Sequence, residues 1–181
     1  MGADGQKHYF GVATSPNVTG PYEPTDSPIA CPLGQGGAID TVGFIDDDET
    51  QTIWICVQIL DRDPNGGDGF LIEAPSIIKS EGIYYMTFSS AMFNTPQYIS
   101  TYAYATSITG PWSKQHSPYA PILQTGNVRS AGQLTGLSGS SFAKDKSKIG
   151  FNASRNGLNA DEGRAVYMGN ITLGDNIITI V

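Results

Sequence analysis

The sequence predicts an all-β protein, on three observations. No segment of ten or more residues places apolar side chains at helical spacing, whereas runs with a period of two recur along the chain. Those runs are bounded by Gly, Pro, Asn or Asp. Glycine and proline together number 33 of 181 residues (22 and 11), and nine tyrosines and seven phenylalanines accompany them. That mixture is typical of short strands joined by tight turns.

Strands are predicted wherever an alternating run lies between two such turn signals. In chain order they cover residues 8–13, 41–45, 52–60, 76–79, 83–89, 99–105, 141–143, 148–152, 165–172 and 176–181. Residues 1–6 form a polar, glycine-containing terminus that we expect to be disordered. The remaining chain is long enough to bury a core, so we expect one domain over residues 1–181.

Charge and hydropathy argue against two classes of partner, nucleic acids and membranes. The net charge is −7, with 10 basic and 17 acidic side chains, and no basic patch is present to bind nucleic acid. No run approaches the ~20 apolar residues of a membrane span, and the first ten residues lack the apolar segment of a signal peptide.

Cysteines and glycosylation motifs give weaker information. Cys31 and Cys56 are too few for a disulfide scaffold and lack the spacing of a zinc site, so two free thiols or one disulfide both remain open. Asn-x-Ser/Thr motifs begin at Asn17, Asn152 and Asn170, and they hint at secreted ancestry.

Two repeats indicate the architecture. GVATSPNVTGPY (11–22) and YATSITGPW (104–112) share Ala-Thr-Ser followed by Thr-Gly-Pro and an aromatic residue. DTVGFIDDDE begins at Asp40 and EAPSIIKSEG begins at Glu73; SFAKDKSKIGF (141–151) is a weaker third copy. In the segments that begin at Asp40 and Glu73, the acidic residue leads into a short apolar strand that turns at a charged tip. Such repetition is typical of a β-propeller, with a β-sandwich as the alternative.

The motifs together resemble glycoside hydrolase family 43, the five-bladed propellers that include arabinanases, arabinofuranosidases and β-xylosidases, and its fungal members in particular. The resemblance is carried by GVATSPNVTGPYEP, SPIACPLGQGGAIDTVGFIDDD, VQILDRDP, LIEAPSIIKSEGIYYMTFSS and YAYATSITGPW. These cover most of residues 7–115, and the stretch over residues 163–173 adds support beyond them. The resemblance implies an incomplete propeller here, of about three to four blades.

The resemblance also implies roles for named residues. Glu73 falls on the general acid of an inverting hydrolase, and Asp40 falls on the aspartate that tunes that acid. A general acid must keep its proton until it is needed, which partial desolvation and a nearby like charge favour. Phe93 and Tyr98 follow the Glu73 hairpin, and we expect them to bind substrate. No protein ligand for a metal is predicted, and the resemblance allows a structural calcium ion in the channel.

Three departures from the family pattern affect the expected activity. The resemblance implies an aspartate at the start of a strand as the general base. Neither Asp4 nor Asp26 begins a strand, so we assign no residue of this sequence as that base. The segment between Asp48 and Val57 is short, and Asn152 stands near where fungal relatives place a histidine beside the channel ion. We therefore expect a weak or inactive hydrolase, because nothing activates the water.

Two functions follow as expectations. The first is a family 43 hydrolase-like domain acting on arabinose- or xylose-containing plant polysaccharides, secreted as the family is. The alternative is a non-catalytic carbohydrate-binding or structural propeller fragment. Open blade edges also suggest a homodimer, because unpaired strand edges pair readily with other chains.

Overall fold

The structure, a computed structural model, describes residues 9–29, 40–49, 51–53, 60–63, 65, 67–126, 134–155, 157 and 163–181. The chain divides into two compact units, residues 1–58 and residues 59–181, which are described separately. The predicted single domain over residues 1–181 stays a prediction. Residues 1–6, Cys31 and Cys56 lie outside the described residues.

The all-β prediction is confirmed: the described residues form strands and turns without a helix, and so without a helix able to cross a membrane. The strands are β1 (Ala13–Thr14), β2 (Glu23–Pro24), β3 (Gly43–Ile45), β4 (Gln51–Ile53), β5 (Ile72–Ser80), β6 (Ile83–Ser90), β7 (Ile99–Ala105), β8 (Ser113–Lys114), β9 (Thr135–Phe142), β10 (Lys148–Ser154), β11 (Ala165–Gly174) and β12 (Ile177–Ile180).

The first unit contributes two antiparallel pairs, β1 with β2 and β3 with β4. The connection from β1 to β2 is the first Thr-Gly-Pro repeat. There Gly20 has a φ of 82° and its amide donates to the carbonyl of Asn17 at 3.0 Å. In the second unit, Gly110 has a φ of 87° and donates to Ser107 at 2.9 Å. The two sequence repeats therefore adopt the same turn.

The second unit consists of two four-stranded antiparallel sheets in which neighbours in sequence are neighbours in space. The first sheet has the order β5-β6-β7-β8, and the second sheet runs from β9 through β10 and β11 to β12. Two-residue turns close the β5-β6 and β11-β12 hairpins. Their central residues, Glu81 with Gly82 and Asp175 with Asn176, all have positive φ, as type I′ turns require.

Packing between the two sheets builds the core of this unit. Seven buried residues form one cluster: Ile78, Tyr85, Tyr102, Ala120, Ile149, Ile171 and Ile178. A second cluster consists of Leu123, Leu134, Leu137, Phe151 and Ala153. In β10, the odd-numbered residues 149, 151 and 153 all point into this core, in keeping with the period of two of a strand.

Some predicted strand boundaries are wrong. The strand predicted over residues 141–143 is only the end of β9, because Gly136 and Gly139 interrupt the apolar pattern. The strand predicted over 76–79 begins at Ile72, so Glu73 lies inside β5 rather than before it. The prediction over 176–181 includes Asn176, which belongs to the turn. Strands β2 and β8 are two residues each and are too short to predict.

A buried ion pair fastens the segment before β5 to the first sheet. Asp68 is 4% exposed, and its carboxylate accepts hydrogen bonds from Lys114 Nζ, from Ser90 Oγ at 3.2 Å and from the amide of Asp63 at 2.6 Å. Lys114 Nζ also lies 5.2 Å from the centre of the Phe88 ring. The carboxylate is therefore fully engaged in the structure.

Substituting Asp68→Asn should lower the free energy of unfolding by about 3–5 kcal/mol, because Lys114 is left as a buried charge without its partner. Urea denaturation followed by circular dichroism measures the change. Asp26→Asn, at an exposed position, is the control and should change little. Equal stability of the two variants would contradict a role for the ion pair.

Because two tyrosines are buried, we expect the protein to lose stability at alkaline pH. Burial raises the pKa of Tyr85 and of Tyr102 above the usual 10.0. A group whose pKa is raised on folding stabilises the protein below its unfolded pKa, and that contribution is lost as the pH rises through the folded pKa. The free energy of unfolding should therefore fall above pH 10. Tyr102→Phe should make the fall shallower, whereas Tyr119→Phe, a change at a half-exposed residue, should not.

Candidate functional site

Glu73 occupies an irregular position in β5, where the strand departs from regular pairing. It pairs with Ser89 of β6, and a register shift follows between Glu73 and Ser76. Ala74 within this bulge has a φ of 50°, a left-handed conformation that is uncommon for a residue other than glycine. Bulges re-aim side chains at sheet ends, and here the bulge adjoins the carboxyl group that the sequence singled out.

Tyr98 is the hydrogen-bond partner of Glu73. Its hydroxyl donates to Glu73 Oε1 at 2.6 Å, although 25 residues separate the two in sequence. Tyr98 stands just before β7 and is 6% exposed, and its amide donates to the carbonyl of Thr95 at 3.2 Å. The structure therefore brings together two of the residues that the sequence predicts for the site.

Arg164, which immediately precedes β11, covers the Tyr98 ring. Its guanidinium carbon lies 5.5 Å from the centre of the Tyr98 ring. Nε donates to Asn152 Oδ1 at 2.6 Å, Nη2 donates to the carbonyls of Asn152 and Gly136, and Nη1 donates to the carbonyl of Phe93 at 3.5 Å. One side chain thus ties the segment after β6 to both β9 and β10.

Strand β9 approaches the site closely because it contains two left-handed glycines. Gly136 and Gly139 both have a φ of 62°. A β-carbon on Gly139 would lie 2.5 Å from Asn152 Nδ2, and one on Gly136 would lie 3.3 Å from Arg164 Nη1. The amide of Gly139 donates to Ser89 Oγ at 2.9 Å. Glycine therefore allows β9 to pack against Arg164 and Asn152.

Two buried hydroxyl groups, those of Ser89 and Ser138, lie near the Tyr98 oxygen. Ser89, Ser100 and Ser138 are fully buried, and Ser100 Oγ is hydrogen-bonded to Ser140 Oγ. Ser138 Oγ makes no regular hydrogen bond among the described residues, although it lies near enough to Tyr98 to affect that hydroxyl. The seam between the two sheets is polar at this end and apolar in the core.

The electrostatics of the seam follow from burial. Burial raises the pKa of Tyr98, and the hydrogen bond to Glu73 raises it further, whereas the hydroxyls of Ser138 and Ser89 lower it. Desolvation lowers the pKa of Arg164, even though the residue as a whole is exposed. Tyr98 is therefore held as a neutral hydrogen-bond donor beside an arginine cation.

The other two predicted site residues are Phe93 and Asp40. Phe93 is 59% exposed, and only its carbonyl is held by Arg164, so its ring faces solvent. Asp40 lies in the first unit, three residues before β3, is exposed and has a φ of 55°. The roles predicted for Glu73, Asp40, Phe93 and Tyr98 stay predictions.

Sequence reasoning missed Arg164, the residue that organises the site. The stretch over residues 163–173 supports the family resemblance, but the resemblance gives its arginine no role. One signal was available: only four arginines occur in the chain, and this one immediately precedes an alternating strand. Asn152 is a departure from the family pattern, and the structure shows that it is the partner of Arg164.

The structural calcium ion that the resemblance allows in the channel stays an expectation. The described residues contain no group of three or more His, Cys, Asp or Glu side chains able to hold a metal. The Asn152 oxygen, where the resemblance suggests an ion nearby, already accepts from the Arg164 cation. A second positive charge there would be repelled.

A groove of about 790 Å³ lies elsewhere in the second unit, against β11 and β12. Ile122, Leu137, Phe151 and Ile178 are among the apolar residues that line it, and no Asp or Glu side chain does. The predicted acid is a carboxyl group, whereas the titratable side chains that line this groove are Tyr119, Lys148 and Tyr167. The candidate site is therefore the Glu73 seam and not this groove.

No protein-family model and no curated protein matches the sequence, but solved structures do. An endo-1,4-beta-xylanase from Bacteroides thetaiotaomicron is 25% identical with a TM-score of 0.69, over 93% of this chain and 66% of that chain. A thermostable family-43 glycoside hydrolase is 22% identical with a TM-score of 0.71, over 94% and 65%. An endo-1,5-alpha-L-arabinanase from Thermotoga petrophila is 19% identical with a TM-score of 0.68, over 94% and 52%.

These likenesses confirm the propeller fold that the sequence predicts. The chain spans less than two thirds of the length of each of these three structures. The predicted number of blades, three to four, agrees with the fraction of the related structures that this chain spans, and it stays a prediction.

Gly139→Ala should destabilise the protein by about 1–3 kcal/mol, because alanine at a φ of 62° is strained and its β-carbon would displace Asn152. Urea denaturation measures the change. Gly150→Ala is a matched control on the same sheet, since its β-carbon would meet nothing closer than 3.9 Å. A Gly139→Ala variant as stable as Gly150→Ala would contradict the close packing of β9.

Proposed function

We propose, from the premise that the chain has the fold of the family 43 glycoside hydrolases, that it is a hydrolase-like domain for arabinose- or xylose-containing polysaccharides. Glu73 is the general acid. The observation that carries the proposal is the 2.6 Å hydrogen bond that fixes the Glu73 carboxyl group at the polar end of the seam. A carboxyl group held by a buried donor is oriented for proton transfer.

The chemistry assigned to Glu73 is protonation of the glycosidic oxygen as its bond to the anomeric carbon breaks. Inversion also requires a water molecule, activated by a second carboxylate about 6.5–9.5 Å from the acid. No residue of this sequence is assigned as that base. We therefore expect slow hydrolysis by this chain alone, with Asp40 as the tuning carboxylate.

The substrate class rests on the structural likenesses, whose names refer to xylan and arabinan. Phe93 is the proposed sugar contact, since the residue is exposed and its carbonyl accepts a hydrogen bond from Arg164. An aromatic side chain offers a large apolar face to a ligand. Binding fixes only two of its torsion angles, so the entropic cost is low. Action on extracellular plant polymers would agree with a secreted protein.

Glu73→Gln should reduce turnover of xylo- and arabino-oligosaccharides by about 10²–10⁴-fold, because their leaving oxygen needs a proton. The loss should be smaller with 4-nitrophenyl arabinofuranoside and xyloside, whose leaving group departs without protonation. Added azide should raise the wild-type rate by attacking the anomeric carbon in place of activated water. Release of sugar and of 4-nitrophenol measures both effects.

Glu81→Gln is the control, because Glu81 is an exposed acid at the tip of the same hairpin. Its rates should equal those of the wild type. Identical rates for wild type and Glu73→Gln on every substrate, with and without azide, would end the assignment of Glu73.

The exposed ring of Phe93 supports a second function, carbohydrate binding without turnover. Calorimetry with the same oligosaccharides separates the two functions. Binding that is weakened in Phe93→Ala, together with no turnover in any condition, favours a binding module.

A further inference from the structure

We infer that Tyr98 is a positioning residue for Glu73. Through its hydrogen bond, Tyr98 determines which of the two Glu73 carboxyl oxygens carries the transferable proton. The inference rests on the function proposed above and assigns Tyr98 a role in the acid rather than in holding the sugar. The inference follows from the atoms that contact Glu73 and Tyr98 at the polar end of the seam.

The geometry makes the two oxygens of Glu73 inequivalent. Tyr98 donates to Oε1 at 2.6 Å, a hydrogen bond that a carboxyl oxygen can accept whether or not the other oxygen carries a proton. While that bond is made, Oε1 is an acceptor, so a proton on Glu73 occupies Oε2. Oε2 is then the oxygen that delivers the proton to the leaving group, and Oε1 keeps its bond to Tyr98 throughout.

Tyr98 can do this because its own position is fixed from several sides. The residue is 6% exposed, and Arg164 lies over its ring. A β-carbon on Gly136 would come within 3.8 Å of the Tyr98 β-carbon, so β9 passes close to its base. Among the described residues of the second unit, Glu73 and Arg164 are the charged groups that face it, and Ser89 and Ser138 are the nearby hydroxyls.

The same geometry leaves little room for Tyr98 to act as a stacking platform for sugar. One face of its ring is occupied by the Arg164 guanidinium, and the residue is buried. Phe93, in contrast, is 59% exposed. We therefore assign substrate contact to Phe93 and acid positioning to Tyr98.

Titration of Glu73 by NMR tests the inference without relying on activity. The chain contains five glutamates, so protein labelled with ¹³C at the side-chain carboxyl carbons gives five signals, and Glu73→Gln identifies the one from Glu73. In Tyr98→Phe the carboxylate form of Glu73 loses its hydrogen-bond donor, so the Glu73 signal should change at a higher pH than in the wild type. Tyr119→Phe should leave it in place.

A second measurement covers the case in which Tyr98→Phe does not fold. Replacing all nine tyrosines with 3-fluorotyrosine makes each phenol a stronger donor without removing it. The Glu73 midpoint should then move to lower pH, whereas that of the exposed Glu23 should not. A Glu73 midpoint that moves in neither Tyr98→Phe nor the fluorinated protein overturns the inference.

Kinetics separate this inference from the proposed function. In Tyr98→Phe the basic limb of the rate profile should move with the NMR midpoint, and kcat for oligosaccharides should fall while KM stays constant. A moved midpoint without turnover in any variant keeps the Tyr98–Glu73 coupling and removes the proposed hydrolysis. Turnover that depends on Glu73, with an unmoved midpoint in Tyr98→Phe, keeps the hydrolysis and removes the role of Tyr98.

Discussion

The hydrogen bonds of the Arg164 guanidinium hold together the polar end of the second unit. They reach backbone carbonyls after β6 and in β9 and β10, and the same group lies over Tyr98. A planar cation with five donors suits this task, because it can satisfy several carbonyl oxygens in fixed directions. The position of Glu73 depends in turn on Tyr98, so the candidate site is built outward from the arginine that immediately precedes β11.

The two ends of the seam follow different physical rules. Ile149, Tyr102 and their neighbours exclude water from the core and stabilise the packing of the sheets by burying apolar area. At the other end, buried serines replace apolar residues, and each hydroxyl near Tyr98 must find a partner or remain costly. A buried polar cluster of this kind orients its members strongly, which suits a site that has to present one carboxyl oxygen.

Much of the fold can be predicted from local pattern. The predicted strands match β6, β7 and β10 almost to their ends, because period-two alternation and flanking turn residues are local signals. Most of β9 escapes prediction, since Gly136 and Gly139 lower β-propensity wherever they occur. Their purpose is visible only beside Asn152 and Arg164, whose side chains occupy the space that β-carbons would need.

The sequence by itself determined the all-β class, the repeated turns and the choice of Glu73 as the residue to test. The strands and turns follow from residues close together in sequence, and the choice of Glu73 follows from the family that its motif resembles, so the order of residue types is enough to reveal these features. Only the tertiary structure decided what holds Glu73, because Tyr98 and Glu73 are 25 residues apart and Arg164 and Phe93 are 71 apart. The first contact joins β5 to the segment before β7 within one sheet, next to the bulge after Glu73. The second joins the two sheets, where two left-handed glycines allow β9 to pack closely.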